Sequence, residues 1–301
     1  HKIKPDILLY GEGWTAGASP LPDSLRALKA NTARLDRIAA FSDDIRDGIK
    51  GSVFEHADKG FASGKKGMEE SIKFGITASC PHPQVEYSKV NYSKAPWATS
   101  PAQTVSYCEC HDNHVLFDKL AISAKDATPE QREQMHRLAL SIVLTSQGIS
   151  FLHAGTEFMR TKQGVENSYE SPDSINAINW NLKKEYQGMN EYLRELIQLR
   201  KQHPAFRLRS ADAIARGIKF KEKMPDGMIV YEIDGKLAGD SWSKILICLV
   251  GNKSDIAYPV DRTWTPYIIN NKRVKSDTEA KGQAAENMNL SPFSFSLFYL
   301  E

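Results

Sequence analysis

The stretch Leu8-Leu9-Tyr10-Gly11-Glu12-Gly13-Trp14 decides how the rest of the chain is read. An apolar, β-prone run from Ile7 to Tyr10 ends on a glycine, and a carboxylate follows at once. A second glycine, a tryptophan and the turn-like Thr15-Ala16-Gly17 come next. In a parallel α/β fold, reactive side chains sit where a strand's C-terminal end opens into its βα loop. Glu12 falls at that position, and Trp14, two residues on, can offer it a flat apolar surface. A glutamate beside an aromatic ring is partly desolvated, which raises its pKa and suits it to donate a proton near neutral pH. A strand-end glutamate can equally cap the next helix, and this stretch alone leaves both readings open.

Working outward, the pattern repeats. Arg37–Phe41 reads as a second strand running into Ser42-Asp43-Asp44-Ile45-Arg46, after a loop with a short helix at Leu21–Asn31. Gly64–Ala78 reads as a helix, and Pro81–Pro101 as an irregular connection. Val105–Cys110 is a third strand leading into His111-Asp112-Asn113-His114. Thr128-Pro129-Glu130-Gln131 has the form of a helix N-cap followed by proline at the first helical position. From there Met135, Leu138, Ala139, Ile142 and Val143 recur at helical spacing up to the breaker Gly148. Ile149–His153 is a fourth strand, followed by a long polar loop from Thr156 to Asn181. A helix over Met189–Lys201 stops at His203-Pro204. Four βα units in a row predict a parallel sheet with right-handed crossovers.

After Ser210 the pattern changes to short strands at Met228–Ile233, Ile245–Val250, Tyr267–Ile269 and Phe293–Leu300, separated by turn residues. In the last, Phe293, Phe295, Leu297 and Tyr299 alternate with Ser294, Ser296, Phe298 and Leu300, which suits a small antiparallel sandwich. The expected division is 1–209 for the α/β part and 210–301 for the β-sandwich.

Composition narrows the function classes. With 301 residues, 41% apolar and 25% charged, the chain can bury a sizeable core and has ordinary globular proportions. A formal net charge of +2 suggests no nucleic-acid partner, and no apolar run is long enough to span a bilayer. The opening His1–Asp6 carries no signal-peptide pattern, but a chain that begins one turn before a buried strand looks cut from something longer, so the compartment is left open. Cys80, Cys108, Cys110 and Cys248 make no disulfide or metal framework and are expected as free thiols.

Three strand ends carry polar groups: Glu12, then Asp43 and Asp44, then His111-Asp112-Asn113. The loop after the fourth strand adds Glu157, Arg160, Asn167, Tyr169, Asp173 and Asn176. One such residue is ordinarily a cap or a brace, and that is the reading for Asp43 and Asp44. Four successive strand ends lined in this way are how the fold class builds an active site. His111, Asp112 and His114 lack a trustworthy ligand spacing, so no metal is assigned. No Gly-x-Ser-x-Gly elbow, phosphate loop or dinucleotide fingerprint occurs. Carboxylates with aromatic platforms remain, and these point to sugars.

Tyr10–Trp14 resembles the motif around the general acid in the α-amylase superfamily of glycoside hydrolases. Val105–Asn113 (VSYCECHDN) resembles that superfamily's later His-Asp motif. The segment Phe151–Trp180 (FLHAGTEFMRTKQGVENSYESPDSINAINW) is similar to the loop after the last barrel strand in type I pullulanases, which cleave α-1,6 branch links in pullulan and starch. The resemblance implies the second half of a (β/α)8 barrel followed by the β-sandwich. It makes Glu12 the acid/base, Asp112 the transition-state stabilising carboxylate and His111 a hydroxyl-binding neighbour. Trp14, Asn113, Asn167, Tyr169, Asp173 and Asn176 become substrate contacts, and an α-glucan the partner. No cofactor is implied by this sequence, and calcium is not supported by it. The family's retaining mechanism uses a nucleophilic aspartate on the strand before the one bearing Glu12, with an arginine two residues ahead of it. These 301 residues are therefore expected to lack both, along with the first four barrel strands. They are expected to be inactive alone and to self-associate through the uncovered half-barrel. The competing readings are an isoamylase-like, glycogen-debranching or α-amylase-like enzyme, and a non-catalytic glucan-binding module.

Overall fold

The computed structural model describes residues 3–4, 6–15, 17–260, 264–274 and 288–301. His1, Lys2 and Pro5 of the opening lie outside the described residues, as does Ala16 of the expected Thr15–Gly17 turn. Four short strands, β1 (Leu9–Gly11), β2 (Ile38–Phe41), β3 (Thr104–Ser106) and β4 (Ile149–Ser150), form a parallel sheet in sequence order. Register pairs Gly11 with Ala40, Phe41 with Val105 and Ser106 with Ser150, so all four C-terminal ends leave the same edge. That edge is where a parallel sheet exposes its loops.

All four strands fall at their expected places but are shorter than the apolar runs suggested. β3 stops at Ser106 rather than Cys110, because Phe41 is the last residue of β2 and the chain there turns into α1 (Asp43–Lys50). The last bonds on its two sides are Ser42 N–H to the Val105 carbonyl and Phe151 N–H to the Ser106 carbonyl. Past that point Tyr107–Cys110 pairs with no strand among the described residues. At the start of β1 the same limit applies: β2 begins at Ile38, directly after Arg37 at φ 53°, so Ile7 and Leu8 stay outside the ladder.

The remaining α-helices of the described residues are α2 (Glu69–Ile76), α3 (Leu116–Ser123), α4 (Pro129–Thr145), α5 (Asp173–Asn176), α6 (Leu182–Glu185), α7 (Gln187–Gln202) and α8 (Ala211–Gly217), the last packing on the β-rich part that follows it. The helix expected over Gly64–Ala78 contracts to α2, since Gly64 and Gly67 both take positive φ ahead of it and Ala78 and Ser79 do so behind it. The polar loop expected over Thr156–Asn181 contains single helical turns and α5.

Helix α4 starts as its sequence predicts. Thr128 Oγ1 accepts the Gln131 N–H at 3.2 Å and Gln131 Oε1 accepts the Thr128 N–H at 3.0 Å, a reciprocal capping box with Pro129 at the first position. Its second half is buried all round, including Leu140, Ser141 and Leu144 beyond the expected stripe. A helix loses its polar face when both sides are covered. Here α4 packs on α3, α2 and α7 and also on the β-rich part of the chain.

That part contains β5 (Ile218–Phe220), β6 (Met228–Asp234), β7 (Lys244–Val250), β8 (Ile256–Tyr258), β9 (Thr265–Ile269), β10 (Lys272–Arg273), β11 (Met288–Leu290) and β12 (Ser294–Leu300). Six of them form an antiparallel sheet in the order β10-β9-β12-β7-β6-β5, and β8 pairs with β11 in a separate two-stranded ribbon. Strand β12 is buried on both faces. Phe295 and Leu297 join the core shared with α4 and α7, while Phe298 packs with Val230, Leu246, Cys248 and Leu290 in a second cluster. Interleaved serines Ser294 and Ser296 are buried as well, so the alternation in this strand separates two apolar layers rather than core from solvent.

Candidate active site

An aromatic ladder underlies the edge where the four parallel strands end. Tyr10 meets Phe41 edge-on at 5.6 Å between ring centroids, and Phe41 meets Tyr107 at 4.7 Å and Phe151 at 5.2 Å. Each ring comes from a different strand or strand exit. Edge-to-face packing of this kind fixes the relative height of the four loops above it.

Glu12 follows β1 directly and is exposed, as is Trp14. The desolvation of Glu12 by the Trp14 ring, expected from the sequence, is therefore not what these residues display. Its position is set by the backbone instead. The Gly13 carbonyl accepts the Lys29 N–H at 2.6 Å. Gly13 sits at φ 77°, and a Cβ there would lie 2.8 Å from that of Ala40. Lys29 Nζ in turn bonds both Asp43 and Asp44, so the loop after β1 is tied to the first turn of α1. Asp44 is fully buried and accepts the N–H groups of Tyr92 at 3.1 Å and Ser93 at 2.9 Å, with Ser93 Oγ at 2.6 Å. This is the bracing role read for the Asp43-Asp44 pair. Burial raises the Asp43 pKa, opposed by Lys29 and reinforced by Asp44.

After β3 the chain presents His111 and Asp112 side by side, His111 Nε2 lying 3.3 Å from Asp112 Oδ1, with both side chains more than half exposed. Asn113 takes a left-handed φ of 60° and donates its N–H to Asn167 Oδ1 at 3.1 Å, which brings the loops after β3 and β4 together. Tyr169 and Asp173 are exposed on the second of these loops. Asn176 lies within it and braces it, accepting Ser168 Oγ at 2.7 Å and donating to the carbonyls of Ser168 and Ser171.

Several positioning groups went unread in the sequence. Buried Lys162 donates from Nζ to the His111 carbonyl at 3.0 Å. Burial lowers its pKa, and Arg160 adds to this, while Cys110, Glu109 and Asp112 oppose. Asp118, near the start of α3, accepts Thr161 Oγ1 and the N–H groups of Lys162 and Gly164, fixing the far loop. Arg46 donates to the Tyr107 hydroxyl at 3.0 Å and pairs with Asp47, which also receives the Tyr92 hydroxyl. Burial works against the Arg46 charge, but the Asp47 bond together with the Tyr107 and Asp47 charges holds its pKa above the ordinary value. Arg46, Asp47 and Asp118 sit on helices, where charged residues ordinarily face solvent, and Lys162 sits in a polar loop. No local pattern distinguishes them from surface positions.

The geometry thus collects one carboxylate after β1, a His-Asp pair after β3 and polar loops after β4 at a single open edge. Residues 176–293 match the C-terminal family of pullulanase-type α-1,6-glucosidases. The pullulanase of Bacillus subtilis strain 168 is 39% identical over 246 residues, which is 82% of this chain and 33% of that protein. Over residues 176–293 the chain belongs to that family, and through the rest it resembles the C-terminal part of pullulanases. Solved pullulanases agree in three dimensions. The Paenibacillus barengoltzii enzyme in complex with maltohexaose and α-cyclodextrin superposes over 99% of the chain with a TM-score of 0.87 and 37% identity. The Bacillus acidopullulyticus enzyme does so over 99% with a TM-score of 0.88 and 31% identity. The chain spans 44% and 35% of those two structures.

Proposed function

We propose that these residues form the acid/base side of a retaining glycoside hydrolase that cleaves α-1,6-glucosidic branch links in pullulan, starch or glycogen. The reading is carried by one observation. Glu12 and the His111-Asp112 pair leave the same edge of the parallel sheet, from strands separated by one, on a chain that resembles the C-terminal part of pullulanases. In this reading the parallel sheet is the second half of a (β/α)8 barrel, with a β-sandwich domain beginning near residue 210.

Glu12 protonates the leaving glycosidic oxygen and later activates water. Asp112 stabilises the positive charge that develops on the sugar, and His111 bonds sugar hydroxyls beside it. In a retaining enzyme the attacking carboxylate stands about 5–5.5 Å from the acid/base. The proposal places that nucleophile on a strand preceding β1 in the complete barrel. Trp14, Asn113, Asn167, Tyr169 and Asp173 line the α-glucan path. Asn176 acts on that path through the loop it braces.

Joined to the four βα units that complete the barrel, the chain is expected to release reducing ends from pullulan and to leave linear amylose uncut. Hydrolysis of amylose at a comparable rate would instead favour an α-amylase-like enzyme. Glucan binding without turnover would favour a binding module. The 301 residues alone are expected to lack hydrolytic activity, because the covalent step needs the nucleophile. They are also expected to self-associate, since Ile7 and Leu8 just ahead of β1 and Leu9 and Tyr10 within it stand exposed. Pullulan hydrolysis by the purified chain, or a monodisperse monomer in light scattering, would overturn the corresponding expectation.

A further inference from the structure

Beside the proposed sugar site, but outside it, two histidines and a glutamate converge from three separate segments. One ligand-capable atom each from His56, His114 and Glu166 lies within 4.8 Å of the other two. His56 Nε2 and Glu166 Oε2 are 3.1 Å apart, and the two imidazoles meet edge-on with centroids 4.7 Å apart. Ligand atoms around a tetrahedral ion at about 2.0–2.1 Å stand roughly 3.4 Å from one another. The His56–Glu166 pair already has that spacing. His56 is half exposed and can swing to close the remainder.

The surroundings hold these three groups in place. His114 is buried, and its Nε2 faces the Gly164 carbonyl at 3.1 Å. A carbonyl only accepts, so Nε2 carries the proton and Nδ1 keeps its lone pair. An imidazole donating its second nitrogen to a carbonyl is the usual support of a metal-binding histidine. Lys119 Nζ donates to the carbonyls of Ser52, Glu55 and His56, anchoring the segment that carries His56. Asp118 anchors Lys162 and Gly164 ahead of Glu166. Both anchors belong to α3, directly after His114.

We propose that His56, His114 and Glu166 bind a divalent transition-metal ion, zinc by preference, with water completing the coordination. Two imidazoles and one carboxylate are a zinc-type donor set, and oxygen-seeking calcium or magnesium would take few of these atoms. Bound there, the ion cross-links the segment after α1, the loop after β4 and the end of the His111–Asn113 turn. It is thus a clamp on the loops of the sugar site, independent of the sugar chemistry.

The test is zinc titration of the tag-free, chelator-treated chain by calorimetry, with thermal melting in parallel. The expected result is saturable binding of one ion per chain, with a raised Tm. H56Q and E166Q, both at partly exposed positions, should each weaken binding at least about tenfold. Cobalt(II) titration gives a second reading on the unaltered chain, through the intense visible bands of a low-coordinate nitrogen and oxygen site. Absence of saturable zinc binding, undiminished binding in the H56Q/E166Q double variant, or only the weak bands of an octahedral cobalt ion would overturn the proposal. The three groups would then be a hydrogen-bonded pair beside a buried histidine.

Discussion

His136 illustrates how single residues in this fold trade charge for burial. It lies inside α4 with Nε2 donating to the Thr156 carbonyl at 3.0 Å, and burial pushes its pKa down to about 4 from 6.5. The folded chain therefore keeps this imidazole neutral where the unfolded chain takes up a proton. Its contribution is fully present above pH 6.5 and is lost as pH falls from there toward 4. The loss amounts to roughly 3 kcal/mol at most for this one group. Urea denaturation across that range should show stability falling with acid, with a shallower fall in His136→Gln. An identical pH slope in the two proteins would contradict this assignment. Helical spacing puts His136 on the face of Ala139 and Val143, but the segment that covers that face, and the Thr156 carbonyl it brings, are not marked in the local sequence.

At the scale of elements, much of the parallel layer was legible because its punctuation is chemical. The Thr128-Pro129-Glu130-Gln131 cap and the glycines flanking Glu12 identify their boundaries by residue type alone. Strand lengths were not legible, since pairing ends where the neighbour ends. Tyr107–Cys110 is as β-prone as Thr104–Ser106 but pairs with no strand among the described residues. Helix α1 was hidden for a related reason: seven of its eight residues are buried, among them Arg46, Asp47 and Lys50, so its polar residues face protein. The turn after β1 carries the element-scale prediction. Gly13→Ala forces a side chain into a left-handed conformation and against Ala40, at a cost of about 1–3 kcal/mol. Denaturant midpoints should move accordingly, and an unchanged midpoint would show that the loop relaxes without strain.

Across the whole molecule, the candidate site was legible as a set of strand ends and illegible as a set of supports. The placement of Glu12 and the His111-Asp112 pair at strand exits could be read from sequence, because a polar group following a β-prone run is a positional signal. The groups that hold them, Lys29, Lys162, Asp118 and Arg46, come together only when β1 to β4 align and α1 and α3 pack behind them. The β-rich part has a similar history. Its strands alternate as expected, yet β12 joins two apolar layers, one of them continuous with the core around α4. Sites of this architecture depend on alignment across the entire sheet, so the central claim is best tested at the proposed acid. Glu12→Gln, placed in the chain joined to the proposed remainder of the barrel, keeps the shape of the side chain and removes the proton that Glu12 is proposed to donate. Pullulan turnover is predicted to fall by about 10²–10⁴-fold while maltotriose binding measured by calorimetry stays within a few-fold. Turnover retained near the unaltered rate would contradict the assignment of Glu12 as the acid.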